Sequence, residues 1–366
     1  MSGPRPRIDR VSAAAYRIPT DAPEADGTIA WIATTLVVAD VTAGGQSGMG
    51  YAYADAGSLR VIEGTLKHVL TGQDPLDIPA LWSAMVAAVR NIGRDGIAMG
   101  AISALDVALW DLKARLLEVN LAELFGRARQ RVPIYGSGGF TSYSNDRLAA
   151  QLGGWTTKEG CRWVKMKVGT DPAADFDRVR LAREAIGDAG LFVDANGAYS
   201  RKQALDFAER FAELGVSWFE EPVSSDDLDG LRLLRDRAPA GMDIAAGEYG
   251  YNSFTFRHLL EAGAVDVLQA DATRCGGYTG FLKAAALADA WGLPLSAHTA
   301  PALHLPVCCA ASGLRHIEWF HDHARIEAML FDGAPVPHDG AIAPDPRRTG
   351  HGLSFRRSEA ASFVLN

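Results

Sequence analysis

Between residues 132 and 320 the chain repeats one pattern eight times: a short apolar run, then a segment whose Leu, Ala, Val and Phe recur at helical spacing. The runs are VPIYGSGGF, RWVKMKVG, GLFVDANG, SWFEEP, DIAAGE, VDVLQAD, PLSAH and RHIEWF. Strands alternating with helices imply a parallel sheet, and eight such units imply an α/β fold, a closed (β/α)8 barrel of the TIM type. An open doubly wound sheet is the competing architecture. No GxGxxG follows the first run, which weakens it.

Nearly every run ends in a chemically capable side chain. The second carries Lys165 and Lys167, the third Asp194 with Asn196 on the same face, the fourth Glu220 and the fifth Glu248. The sixth ends in Asp271, the seventh in His298, and the eighth carries Glu318. From Lys167 onward these positions are 20 to 28 residues apart, about one βα unit each. The C-terminal ends of barrel strands share one mouth, so this register defines a site rather than a solvated surface.

Neighbourhood around the barrel assigns roles. Asp194, Glu220 and Glu248 fall on three successive strands, where converging carboxylates repel one another unless a cation joins them. An oxygen-preferring divalent ion resolves this; with no His or Cys at those ends, Mg2+ is expected ahead of zinc. In FEEP either glutamate can face inward; Glu220 is the expected ligand, with Glu221 behind it. Asp271 and His298 lie on adjacent strands, as an orienting carboxylate and an imidazole base should. Lys167 and His298 are three strands apart by the short way round, about 135° at roughly 45° per strand, and so face each other across the ion. Opposed bases suit removal of the proton α to a carboxylate on one face and delivery of a proton on the other, or to a leaving group. Lys165 projects to the same side as Lys167 and, helped by the nearby cation, is expected to depress its pKa toward neutrality. Glu318 is expected to assist at the carboxylate oxygen opposite the metal. Tyr135 and Ser137 in the first run, and Asn196, are candidate substrate contacts.

The first third has a different texture. ATTLVVADVTAG (33–44) alternates like a strand and is followed by Gly-rich turn signals and MGYAYAD, while ALWSAMVAAVR and AMGAISALDVALWDLKARLL read as helices. A small α+β domain over 1–130 is expected ahead of the barrel at 131–330. IPTDAPEADGTIAW (18–31) reads as a long loop between them and the N-terminus. GAPVPHDGAIAPDPRRTGHGLSF is too rich in Gly and Pro for another βα unit; the segment 331–366 is expected to cross back to the N-terminal domain.

Composition narrows the partners. With 36 Lys+Arg against 44 Asp+Glu the net charge is −8, which argues against nucleic acid or an anionic membrane. No run reaches 18 uncharged apolar residues, and MSGPRPRIDRVSAAAYRIPT lacks the apolar core of a signal peptide. The 4 cysteines show no zinc spacing and fit a reducing compartment, so a cytoplasmic protein is expected. Cys308 and Cys309 are expected to pack as small apolar residues in a helix. His304, His316, His321 and His323 cluster late, and HDH invites a metal reading; a surface or supporting role is preferred.

On these residues the chain resembles the enolase superfamily, specifically its mandelate racemase subgroup (the mandelate racemase/muconate lactonizing enzyme family). KMK looks like that subgroup's Lys-x-Lys, Asp194, Glu220 and Glu248 match its metal ligands, Asp271 and His298 its dyad, and Glu318 its strand-eight glutamate. AISALDVALWDLKARLLEVNLAELFG (101–126) is similar to the N-terminal signature, departing at Asn120 where a small residue or proline is usual. The resemblance covers essentially the whole chain. It implies Mg2+-assisted α-proton abstraction from a small-molecule carboxylate, an α+β domain capping the barrel mouth, and a homo-oligomer, and leaves the substrate open. If the 18–31 loop covers the mouth, it and GYAYAD offer Asp21, Glu24, Asp26, Tyr51, Tyr53 and Asp55 as partners for hydroxyls. A second substrate carboxylate is disfavoured by this acidic rim unless Arg94 or another cation reaches it. The expected function is dehydration of a polyhydroxylated mono-acid, such as an aldonate, to a 2-keto-3-deoxy acid. A racemase or epimerase of a 2-hydroxy acid is the alternative; a catalytically silent binding protein is another.

Overall fold

The computed structural model describes residues 5–365. Three antiparallel strands open it: β1 (Ile8–Ala25), β2 (Ala30–Ala43) and β3 (Gln46–Tyr53). Period-two alternation gives this sheet two buried faces. Val37, Ala39, Val41 and Ala52 pack with the helices Ile78–Ala88 and Ile97–Leu116, whereas Leu36, Val38, Met49 and Tyr51 join the core of the barrel. The long helix approaches β3 closely: a Cβ on Gly48 or Gly50 would lie 2.2 Å from the carbonyl oxygen of Ala108 or Ala104. Only glycine fits there.

All eight apolar runs are strands. They are β4 (Val132–Gly138), β5 (Trp163–Lys167), β6 (Gly190–Asp194), β7 (Val216–Glu220), β8 (Asp243–Ala246), β9 (Val267–Ala270), β10 (Leu295–Ala297) and β11 (Leu314–Phe320). Neighbours pair in chain order, and β11 pairs in parallel with β4 to close the barrel. Inward side chains recur every second residue, so the interior is layered. Tyr135, Trp163, Phe192, Trp218 and His316 form an aromatic plug. Ser137, Lys165, Asp194, Glu220 and Glu318 come two residues later on the same strands. Burial presses the His316 pKa down to about 3, and Ser296 Oγ meets its Nδ1 at 2.9 Å, so His316 belongs to the plug.

The stretch 18–31 is not a loop. Strand β1 continues to Ala25, β2 starts at Ala30, and only Asp26–Ile29 turn between them. Pro19 and Pro23 lack the N–H a ladder needs, and the pairing register shifts between Pro19 and Glu24 rather than ending there. Asp26 Oδ1 closes the turn by accepting from the backbone N–H of Thr28 (2.6 Å) and Ile29 (2.8 Å). The resulting hairpin tip rests on the barrel: Thr141 N–H donates to the Ala25 carbonyl (2.9 Å) and Thr170 Oγ1 to that of Asp26 (2.6 Å).

Beyond the barrel the chain returns to the first domain. Asn120 Oδ1 caps the helix Leu121–Phe125, and its Nδ2 donates to the carbonyls of Asp345 (3.2 Å) and Arg348 (2.9 Å). His351 N–H donates to Asp111 Oδ1 (2.9 Å), and Leu365 N–H to the carbonyl of Ala15 (2.8 Å). Cys308 and Cys309 are buried and unpaired in the helix Pro301–Ala310. Among the described residues no helix is long and apolar enough to cross a membrane.

Candidate active site

The strand ends meet beneath the hairpin in a cavity of about 460 Å³. Lys167, Asn196, Glu248, Asp271 and His298 line it from the barrel. One carboxylate oxygen each from Asp194, Glu220 and Glu248 lie within 4.8 Å of one another, and all three residues are buried. Glu248 Oε2 accepts no hydrogen bond, which leaves a buried carboxylate oxygen free to serve as a ligand. Three hard oxygen donors with no thiolate or imidazole among them suit Mg2+ better than zinc. The residues present fit that ion.

Both lysines are folded into this charge cluster. Lys165 Nζ lies 2.6 Å from Glu220 Oε1, 2.9 Å from Glu318 Oε1 and 3.6 Å from Asp194 Oδ2. Lys167 donates to Asp194 Oδ2. Burial disfavours the Lys167 ammonium and Lys165 adds to that, but the charges of Asp194, Glu248 and Glu220 outweigh both, so its pKa is raised. Glu318 is an acceptor: Ser137 Oγ donates to Oε1 (2.6 Å) and Thr299 N–H to Oε2 (3.0 Å). Burial alone would raise its pKa; Lys165 and His298 hold it below the usual range.

Across the mouth, His298 Nδ1 lies 2.9 Å from Asp271 Oδ2. Burial would raise the Asp271 pKa, but His298 and Arg274 lower it further, keeping it a carboxylate. The dyad leaves His298 Nε2 toward the triad, 3.3 Å from Glu248 Oε2. The backbone is strained around this mouth. Asn196, Glu221, Thr299 and Ala300, all just past strand ends, have φ of 47°, 36°, 51° and 39°.

Several expected contacts lie elsewhere. Tyr135 sits in the aromatic plug, two residues too early on its strand, with Lys165 Nζ 5.4 Å from its ring centroid. Ser137 reaches Glu318 rather than the cavity. Asp26, Tyr53 and Asp55 line the cavity, but Tyr51 is turned to Glu327 (2.6 Å). Asp21 pairs outside with Arg147 (3.0 Å) and His321 (3.1 Å). Glu24 is buried against Trp31 Nε1 (2.8 Å), its pKa pushed up to about 8 by burial and the charge of Asp322. Arg94 is exposed and does not line the cavity. His304 supports the dyad strand by accepting from Ala272 N–H (2.8 Å). His323, expected at the surface or behind the site, lines the cavity. So do Tyr249, Tyr251 and Arg274, which the sequence reading did not single out. Arg274 Nη1 lies 3.2 Å from Glu248 Oε1.

Comparison with known proteins follows the same lines. Residues 147–360 match the enolase C-terminal domain-like family model, and residues 19–126 match the mandelate racemase / muconate lactonizing enzyme N-terminal domain. A solved mandelate racemase/muconate lactonizing enzyme-like protein from Rubrobacter xylanophilus superposes with a TM-score of 0.96 at 52% identity, covering 98% of this chain and 100% of that one. A 3,6-anhydro-alpha-L-galactonate cycloisomerase from Streptomyces coelicolor is 33% identical over 96% of this chain and 98% of its own. The L-talarate/galactarate dehydratase of Salmonella typhimurium is 32% identical over 89% of this chain and 81% of its own. A structure of L-talarate/galactarate dehydratase, liganded with Mg and L-glucarate, has a TM-score of 0.90 at 28% identity, covering 99% of this chain and 93% of that one. The chain belongs to the mandelate racemase/muconate lactonizing enzyme family of the enolase superfamily.

Proposed function

We propose that the protein is a Mg2+-dependent dehydratase of a sugar acid, converting an aldonate-like mono-acid to its 2-keto-3-deoxy product. The observation that carries this reading is the pair Lys167 and His298, lining one cavity from strands on opposite sides of the Asp194, Glu220 and Glu248 triad. Mg2+ held by that triad supplies a Lewis acid for the substrate carboxylate and offsets the negative charge around Lys167. One of Lys167 and His298 takes the proton from C2, and the electron pair moves into the carboxylate. The other gives a proton to the hydroxyl leaving C3, so that water departs and the enol tautomerises to the 2-keto acid. Asp271 holds the His298 ring in its working tautomer, and Lys165 and Glu318 form the polar floor beneath the substrate carboxylate.

The polar side chains on the cavity wall bear on the substrate class. Tyr53, Asp55, Thr34, Thr35 and Tyr251 line it, and these groups pair with hydroxyls. Thr34, Tyr53 and Asp55 already bond to Asp322, the His323 carbonyl and the Gly57 N–H, and each keeps capacity for a substrate hydroxyl. Arg274, the one arginine on the wall among the described residues, is engaged by Glu248 and Asp271, which favours a mono-acid over a di-acid. Opposed bases also suit racemisation, the second reading. A sugar-acid panel with and without Mg2+, followed by a 2-keto-acid assay and by polarimetry, decides: keto product supports dehydration, and rotation change without it supports racemisation. Faster turnover of a mandelate-like aromatic acid than of every aldonate overturns the substrate class. The reading also takes the enzyme to be a cytoplasmic homo-oligomer, which the buried, unpaired cysteines and the family support.

A further inference from the structure

We propose that His323 selects the substrate by donating a hydrogen bond from Nε2–H to a chain hydroxyl at C3 or beyond; this rests on the sugar-acid reading above. The ring is clamped. It stacks on Tyr53 with centroids 3.4 Å apart and planes 9° apart, and Phe320 meets it edge-on at 5.0 Å. The backbone N–H of Ala300 lies 3.3 Å from Nδ1. An amide N–H can only donate, so Nδ1 carries the lone pair and the ring proton sits on Nε2. Burial, with His298 and Arg274 nearby, presses the His323 pKa well below its usual value, which agrees with a neutral ring.

Nε2 itself makes no hydrogen bond among the described residues. His323 is only 8% exposed and lines the cavity, so that N–H is free to meet a group bound there. The ring is tied to the dyad's own backbone through Ala300, two residues past His298, which fixes the donor relative to the reacting carbons. Its stacking partner Tyr53 comes from the first domain. A donor so placed favours acids that carry chain hydroxyls over acids that do not, because the latter offer it no acceptor.

Steady-state kinetics test this on wild type, His323→Phe and His323→Gln. The substrate is the aldonate turned over fastest in the panel, and L-lactate, with no hydroxyl beyond C2, serves as competitive inhibitor. Phenylalanine keeps the stack and removes the donor; the glutamine amide can place an N–H near the Nε2 position. Loss of one neutral hydrogen bond lowers kcat/KM by about three- to tenfold in His323→Phe, chiefly through KM, with most of it restored in His323→Gln. The inhibition constant of L-lactate is expected to change less than twofold. Equal losses in both variants, or an equal loss for L-lactate, make His323 a packing residue and overturn the assignment. Failure of the sugar-acid reading shows separately, as a wild type that turns over no sugar acid, and removes the assignment with it.

Discussion

The tight budget of charge at the strand ends makes single side chains decisive. Replacing Asp194, Glu220 or Glu248 with Ala is expected to abolish turnover and weaken Mg2+ binding, which calorimetric titration of the ion checks; undiminished binding in all three variants would remove the triad from the ion. Lys167→Met and His298→Asn are each expected to eliminate turnover. One of the two should still exchange the substrate α-hydrogen with D2O, and NMR of the recovered acid identifies the remaining base as the abstracting one. Full turnover by either variant refutes two-sided chemistry. These residues were legible because a parallel barrel brings strand ends to one mouth wherever the intervening helix goes. Tyr135 misled because the same two-residue period separates a mouth position from the plug beneath it. Tyr249, Tyr251 and Arg274 lie past strand ends, where no period marks a direction, and His323 lies in the first turn of the helix His321–Leu330, whose facing the strand period does not set.

At the scale of elements, the hairpin of β1 and β2 decides what covers the barrel. Its residues were legible as polar and proline-rich, but not as strand: the register shift at Pro19 to Glu24 keeps pairing alive through a stretch that looks like loop. It also decides that Asp26 faces the cavity while Asp21 faces outward. Gly27 at the tip lets the hairpin sit down. A Cβ there would lie 2.3 Å from the carbonyl oxygen of Ala195 and 2.6 Å from that of Val168, both backbone atoms just past β6 and β5. Gly27→Val is expected to lift the tip at a cost of about 1–3 kcal/mol, the range for overpacking. Reduced kcat/KM with faster proteolytic cleavage near residue 27 would report it; wild-type values in both would show that the tip does not bear on the site.

For the molecule as a whole, cap and barrel meet at a buried acid. Tyr51 of β3 donates to Glu327 Oε1 (2.6 Å), and the N–H of Ala302 donates to Oε2 (2.9 Å). Burial pushes the Glu327 pKa up to about 8, and those hydrogen bonds offset only part of it. A folded-state pKa above the unfolded one means the folded chain binds more protons between roughly pH 4.5 and 8, so stability falls as pH rises through that window. At about 1.4 kcal/mol per pKa unit the loss is on the order of 3–5 kcal/mol. Glu327→Gln, which mimics the protonated acid, is expected to lose less Tm than wild type between pH 6 and 9 in calorimetric scans; parallel curves would place the charge elsewhere. The return of the C-terminal segment has a consequence for descent. Since Asn120, Asp111 and Ala15 are held by Asp345, Arg348, His351 and Leu365, a crossover near residue 130 would graft a cap onto a stranger's tail. Exchange of the first domain alone is thus expected to break these contacts, whereas point changes at the hairpin leave them in place.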